Sequence, residues 1–588
     1  MKTVNRRTVL RCSGAAAASL AIRRSVFAFA GGLSTPQTAE DYVPVAKTRY
    51  GSIRGTFEDG INVFRGIPYG ADTGSARFQA PLPPAPWTGV KLCDAFTTRA
   101  PQLTALRGLQ GISGAPSLGS AGITPAGALP RIAPESGLQS EDCLHLNVFT
   151  PALRDHRKRP VLVYFHGGAY NNGSVNSALY DGKRLCRRGD VVVVTVNHRL
   201  NAFGFLYLAA IDPKQYPDSG NVGMLDLVLA LKWVRENIAE LGGDPSRVLI
   251  FGQSGGGAKC ATLMAMPSAH GLFHRVMTMS GQQVKGASIE IASKRTDVLL
   301  GKLGITKANL ADLKTMPWEK IQAAAAATSS DWLPVVDGVV LSRDPFTPDA
   351  PPLSADVPMI LGNTHDETAV PASGTLTWDD APAALRNAVA IYLGPYSAEE
   401  VIAKYRSIYP GKSPIDIVIA AATAFRAWPG QVMEAERRAG NPSSQPHTWV
   451  YQMNWHRDAP GARAVHTIDI PFMFDNLDAA PGQIGATPEE LAAAQPLADA
   501  MSGMLVHCAA TGNPNHPGLP FWPAYDLKDR NTMIWDSSPH IETHVEPHVE
   551  IDPRGERFFL VCQFNCQGRN MSRHGIISAF SSPCCFPV

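Results

Sequence analysis

The stretch Val248–Gly257, VLIFGQSGGG, sets a single serine among glycines directly after a short apolar run. The run reads as a strand buried on both faces. A strand that turns sharply into a helix brings backbone against backbone, where only a residue without a Cβ fits. In the pattern Gly252-x-Ser254-x-Gly256 the serine then projects from a strained turn at the end of a strand, where a nucleophile is accessible. Taken alone, the pattern is equally a Gly-rich connector with an incidental serine, so its surroundings decide.

Those surroundings have a βαβ grammar. From Val161 to Met279 the apolar runs VLVYF, VVVVTV, VLIF and VMTM alternate with helical patterns. Between the second and third runs, Leu225, Val228, Leu229 and Trp233 recur at helical spacing, and Gly242 with Gly243 supplies the stop. Continuous apolar strands of this kind belong to a parallel sheet covered on both faces. PMILGN at Pro358 and TWVYQM at Thr448 read as two more central strands inside an otherwise helical region from Ser288 to about Ala500. Ser254 therefore stands at the carboxyl end of a strand, the edge where open parallel sheets bind ligands. The segment from Leu103 to Gln139, rich in Gly, Pro, Ala and Ser, reads as a long surface loop bordering a cleft.

Composition narrows the function classes. The 588 residues carry a formal net charge of +2, which offers no basic face for nucleic acid and no strong membrane attraction. No apolar stretch approaches the roughly 20 residues needed to span a bilayer. A small molecule is the expected partner; the oligomeric state is not legible. The ten cysteines show no zinc-type CxxC spacing, and chemistry at a serine nucleophile such as Ser254 implies neither a metal nor an organic cofactor. At the N-terminus, NRRTVLRCSGAAAASLAI followed by Ala28, Phe29 and Ala30 resembles a twin-arginine export signal, although Arg23 and Arg24 interrupt its apolar part. Residues 1–30 are expected to be that signal, which would place the protein outside a bacterial cytoplasm, periplasmic or secreted. Residues 560–588 lack periodicity and read as an appendage of unknown role.

A serine hydroxyl needs a base, a group that orients the base, and donors for the developing oxyanion. YFHGGAY, from Tyr164 to Tyr170, ends a strand in small residues that leave backbone N–H groups facing a cleft, and Gly255 adds another. In the order Ser, acid, His, the candidate bases are His456, His466, His507 and His516. The candidate acids are Asp366 and Glu367, just beyond the PMILGN strand.

With these residues in view the chain resembles the type-B carboxylesterases, the family that includes the cholinesterases, from about Val45 to Phe559. The likeness rests on FRGIPYG, RFQAPLPPAPWTG, EDCLHLNVFTP, HGGAY, NHRLNAFGFL, GNVGMLDLVLALKWVRENIAELGGDPSRVLIFGQSGGG and GNPNHPGLPFWPAYD, in that order. The resemblance implies an α/β-hydrolase fold: a large, mostly parallel sheet flanked by helices, with loop and helical insertions around the cleft in a catalytic domain of residues 45–559. It implies a triad of Ser254, Glu367 and His466, an oxyanion hole from the amides of Gly168, Ala169 and Gly255, and structural ion pairs Arg65–Glu141 and Arg199–Asp226. Departures are visible too. Gln253 stands where the family commonly has Glu, and Ala100 where it has a cysteine, leaving Cys143 free unless Cys93 pairs with it. No tryptophan lies between Leu103 and Asp142, which makes choline esters poor candidate substrates. The expected function is hydrolysis of carboxylic esters through an acyl-enzyme. A catalytically silent adhesion module is the alternative from another class, and amide or carbamate hydrolysis shares the same machinery.

Overall fold

The computed structural model of the protein describes residues 42–102, 133–329, 332–368, 376–389 and 396–545. The expected export signal, most of the Leu103–Gln139 loop and the C-terminal appendage lie outside the described residues.

The apolar runs assemble into an 11-stranded sheet. From one edge its order is His540–Glu542, Thr532–Trp535, Thr448–Met453, Met359–Thr364, Arg275–Met279, Gly243–Gln253, Arg159–Phe165, Val192–Val196, His145–Thr150, Ile61–Pro68 and Thr56–Glu58. The stretch of sheet from Thr532–Trp535 to Val192–Val196 is parallel throughout, and the flanking strands at both edges are antiparallel.

Alternation of side chains along each strand divides the core in two. Val161, Val163, Val194 and Ile250 pack with Leu227, Leu231 and Val234 of helix Val222–Asn237 on one face. Leu162, Tyr164, Leu249 and Phe251 pack with Leu497, Met501 and Leu505 of helix Pro488–Thr511 on the other. Both faces are thus covered, which is why these strands read as unbroken apolar runs. Each such side chain contributes about 1.5–3 kcal/mol on burial.

Strand Arg159–Phe165 has its chain successor, Val192–Val196, on one side and Gly243–Gln253 on the other. The order of connection reverses at this point, which opens a crevice beyond the carboxyl ends of the two neighbouring strands. Those ends carry His166–Tyr170 and Ser254.

Of the two expected ion pairs, Arg199–Asp226 is present, buried, at 2.6 Å. The Arg65–Glu141 pairing is corrected. Arg65 lies in the strand that folds back on Thr56–Glu58, and its Nη2 donates to Glu58 Oε2 at 2.9 Å. Glu141 is taken instead by Arg77, whose Nε donates to Oε1 at 2.6 Å while its Nη1 donates to the carbonyl of Leu313 at 2.8 Å. That carbonyl holds the guanidinium from the side away from Glu141's Oε1 contact, on a second nitrogen. Cys93 and Cys143 are both buried and unbridged.

Candidate active site

Strand Gly243–Gln253 delivers Ser254 at φ 57° and ψ −127°, a backbone state that costs a non-glycine residue on the order of 1–3 kcal/mol. Its amide donates to the carbonyl of Met279 at 2.7 Å, and its carbonyl accepts from Ala258 at 3.1 Å as helix Gly255–Met264 begins. The glycines make the turn sterically possible. A Cβ on Gly256 would stand 2.0 Å from the carbonyl oxygen of Phe165, and one on Gly252 would stand 2.4 Å from the carbonyl carbon of Gly256. Ser254 therefore sits at the positive end of a helix with its side chain on the crevice edge.

Across the crevice the Arg159–Phe165 strand ends in His166, Gly167, Gly168, Ala169 and Tyr170. Gly168 and Ala169 both adopt positive φ, 82° and 51°. The carbonyl of Gly168 turns back to accept from the amides of Asn171 and Asn172, each at 3.1 Å. Among the described residues no backbone acceptor takes the N–H of Gly168, Ala169 or Gly255. A Cβ on Gly255 would lie 2.2 Å from the carbonyl oxygen of Ala169, so the two segments bearing these amides touch.

The parallel strands Met359–Thr364 and Thr448–Met453 bring in the ionisable groups. Beyond the first, Glu367 Oε1 accepts the amide of Thr364 at 2.7 Å, and Oε2 accepts a hydrogen bond from Nδ1 of His466. Burial raises the Glu367 carboxyl, but the adjacent imidazole, then the Ser280 hydroxyl and the Thr364 amide, outweigh it and hold the group below the usual carboxylate range. Asp366 points elsewhere: Oδ2 accepts the amide of Ala464 at 3.1 Å, and Oδ1 lies 3.0 Å from Nδ1 of His365. Of the rival histidines, His456 is exposed, with Nδ1 3.1 Å from the Arg457 carbonyl, and His507 and His516 face one another, ring centroids 5.7 Å apart.

A serine on a glycine-lined turn, a neighbouring strand end with outward amides, and a carboxylate–imidazole pair beyond two further strands thus share one edge of the sheet. The model of the carboxylesterase family matches residues 42–550. The chain belongs to the carboxylesterase family. Para-nitrobenzyl esterase of Bacillus subtilis is 34% identical over 530 residues, covering 87% of this chain and 97% of the relative. Human carboxylesterase 3 is 30% identical, covering 85% and 89%. Among solved structures, a carboxylesterase of Geobacillus stearothermophilus matches with a TM-score of 0.70 at 32% identity, over 85% of this chain and 98% of that one. The protein is accordingly a carboxylic-ester hydrolase of the α/β-hydrolase fold.

Two features of this carboxylesterase were not read from sequence. The carboxamide nitrogen of Gln253 lies 3.3 Å from Nε2 of His466, and among the described residues no hydrogen bond joins Ser254 to that ring. Gln253 was legible as a lost negative charge, but its contact with the His466 ring follows from the turn geometry. Near Glu367, Tyr451 donates to Asp469 Oδ2 at 2.9 Å. Burial, reinforced by the charge of Glu367, pushes the Asp469 carboxyl up to about 7. A carboxylate three residues after His466 was the only available signal.

Proposed function

We propose that the protein hydrolyses carboxylic esters by a Ser254–His466–Glu367 triad and a covalent acyl-enzyme. With the Nδ1 proton held on Glu367, Nε2 of His466 carries the lone pair. Ser254 Oγ replaces Gln253 at that nitrogen when substrate enters, since catalytic hydrogen bonds often tighten only in the complex. Oγ bonds to the ester carbon and passes its proton to Nε2. The carbonyl oxygen becomes an oxyanion, facing the amides of Gly168, Ala169 and Gly255. The C–O bond to the alcohol breaks as His466 returns the proton to the leaving oxygen. Water then repeats the sequence on the acyl-enzyme, releasing acid and free Ser254. Glu367 stays ionised and balances the imidazolium.

The observation that carries this reading is the convergence on one strand-end edge of the strained serine, the carboxylate-bound imidazole and three outward amides. The test is a panel of p-nitrophenyl and alkyl esters against wild type and Ser254→Ala. Hydrolysis across the panel by wild type only is expected. Retained turnover in the folded variant would refute the assignment.

A further inference from the structure

Helix Gly255–Met264 carries a buried group that the reaction above does not use. Lys259 has 0% exposure, and its ammonium donates to the carbonyl oxygen of His166 at 2.9 Å. It lies 5.6 Å from the centroid of the Tyr170 ring. Burial drives its proton affinity down to about 7, with no carboxylate to offset it. A buried ammonium without a counter-charge is expensive, and a methionine of similar length would fill the same space.

What Lys259 touches brackets the oxyanion segment. His166 immediately precedes Gly167–Gly168–Ala169, and Tyr170 immediately follows. The Tyr170 hydroxyl is held in turn, donating to Gln283 Oε1 at 2.9 Å and lying 3.1 Å from Thr262 Oγ1 on the same helix as Lys259. The helix that presents the nucleophile thus reaches under the facing strand end and grips it on both sides of the amides. The His166 carbonyl belongs to the peptide leading into Gly167, where the segment starts; the next two planes have anchors of their own, the Gly167 carbonyl 2.9 Å from Nδ1 of His166 and the Gly168 carbonyl accepting from the amides of Asn171 and Asn172. The other titratable groups around Lys259 add no negative charge. His166 and His198 stack with centroids 4.8 Å apart, and burial followed by the lysine's own charge keeps both neutral. Burial also raises the thiol of Cys260.

We propose that Lys259 is a positioning residue for the oxyanion hole: by donating to the His166 carbonyl from the nucleophile helix, it anchors the start of the segment that presents the Gly168 and Ala169 amides to the substrate oxygen, and so fixes where that segment stands relative to Ser254. The proposal rests on the Ser254 acyl-enzyme reading. Its test compares wild type, Lys259→Met, which keeps the stem and loses the donor, and Lys259→Gln, which keeps an N–H on a shorter stem. The readouts are kcat and KM for p-nitrophenyl acetate, and the inhibition constant of a trifluoromethyl ketone, whose adduct places an oxyanion in the hole. Lys259→Met is expected to lose about tenfold to a hundredfold in kcat, less than deletion of a donor outright, with KM within about twofold. The ketone should weaken by the same factor as kcat, and Lys259→Gln should lose less on both. Should Lys259→Met fail to fold, Lys259→Gln is judged on whether kcat and ketone affinity fall together. Unchanged kcat and ketone affinity in a folded variant, even one with a lowered melting temperature, would overturn the proposal. If Ser254→Ala is inactive in the same assay, that failure belongs to Lys259 alone; if it is active, the serine reading fails first.

Discussion

Glu367 accepts two donors at once, the Thr364 amide and Nδ1 of His466, and only a carboxylate does so. Glu367→Gln keeps the shape and breaks this arrangement whichever way the amide turns. With its oxygen on Thr364, its NH2 faces Nδ1. That nitrogen must then accept, and the ring proton moves to Nε2, where a lone pair is needed. With its oxygen on Nδ1, the Thr364 amide is buried against another donor, an unmade hydrogen bond costing about 1–3 kcal/mol. The first orientation is therefore favoured, and it removes the general base. The loss expected is on the order of 10⁴ in kcat, the cost of the same tautomer error in other triads. Asp366→Asn is the control: its oxygen can still accept from Ala464 while its NH2 donates to His365, so kcat should stay within roughly tenfold. Both variants are assayed on a p-nitrophenyl ester, with circular dichroism to establish folding. A crippled Asp366→Asn beside a near-normal Glu367→Gln would refute the tautomer argument.

Ala169→Val adds two methyl groups to a residue held at φ 51° between the Gly168 amide and Tyr170, and should lower turnover of tert-butyl acetate more than of ethyl acetate; equal losses would contradict it. Burial pushes the Glu434 carboxyl from its ordinary 4.5 up to about 8, so the folded protein holds a proton there that the unfolded chain releases. This stability is fully present below about pH 4.5 and is lost as pH rises through 8; melting temperatures of wild type and Glu434→Gln should show that slope removed in the variant, and parallel profiles would count against it. Arg77→Met strands Glu141 in the interior and should destabilise by about 3–5 kcal/mol in urea titration near neutral pH; a loss under about 1 kcal/mol would mean that Glu141 finds water or another partner.

Much of this architecture was readable because parallel strands buried on both faces must be apolar throughout, as in Val192–Val196 and Arg159–Phe165, and because the turn around Ser254 admits only glycine at positions 252 and 256. The adjacency of Glu367 and His466 was not readable from residue spacing, since 99 positions separate them. It depends on two strands lying side by side, and entered as an expectation only through family resemblance. Arg77 was missed as the partner of Glu141 because nothing in the sequence tells one arginine from another until the Leu313 carbonyl holds its guanidinium. Lys259 gave no signal either. A lysine beside Cys260 reads as a solvated helix position, and its burial emerges only when the neighbouring strand end is laid over it.

If the hydrolysis runs through Ser254, that residue carries the acyl group between the two half-reactions. Mixing the enzyme with excess p-nitrophenyl ester, quenching in acid within the first turnovers and digesting the protein gives a direct reading by mass spectrometry. An acyl adduct is expected on the peptide containing Ser254, absent from Ser254→Ala and lost from wild type on further incubation. An adduct on another residue, or hydrolysis by folded Ser254→Ala at the wild-type rate, would contradict the role of Ser254.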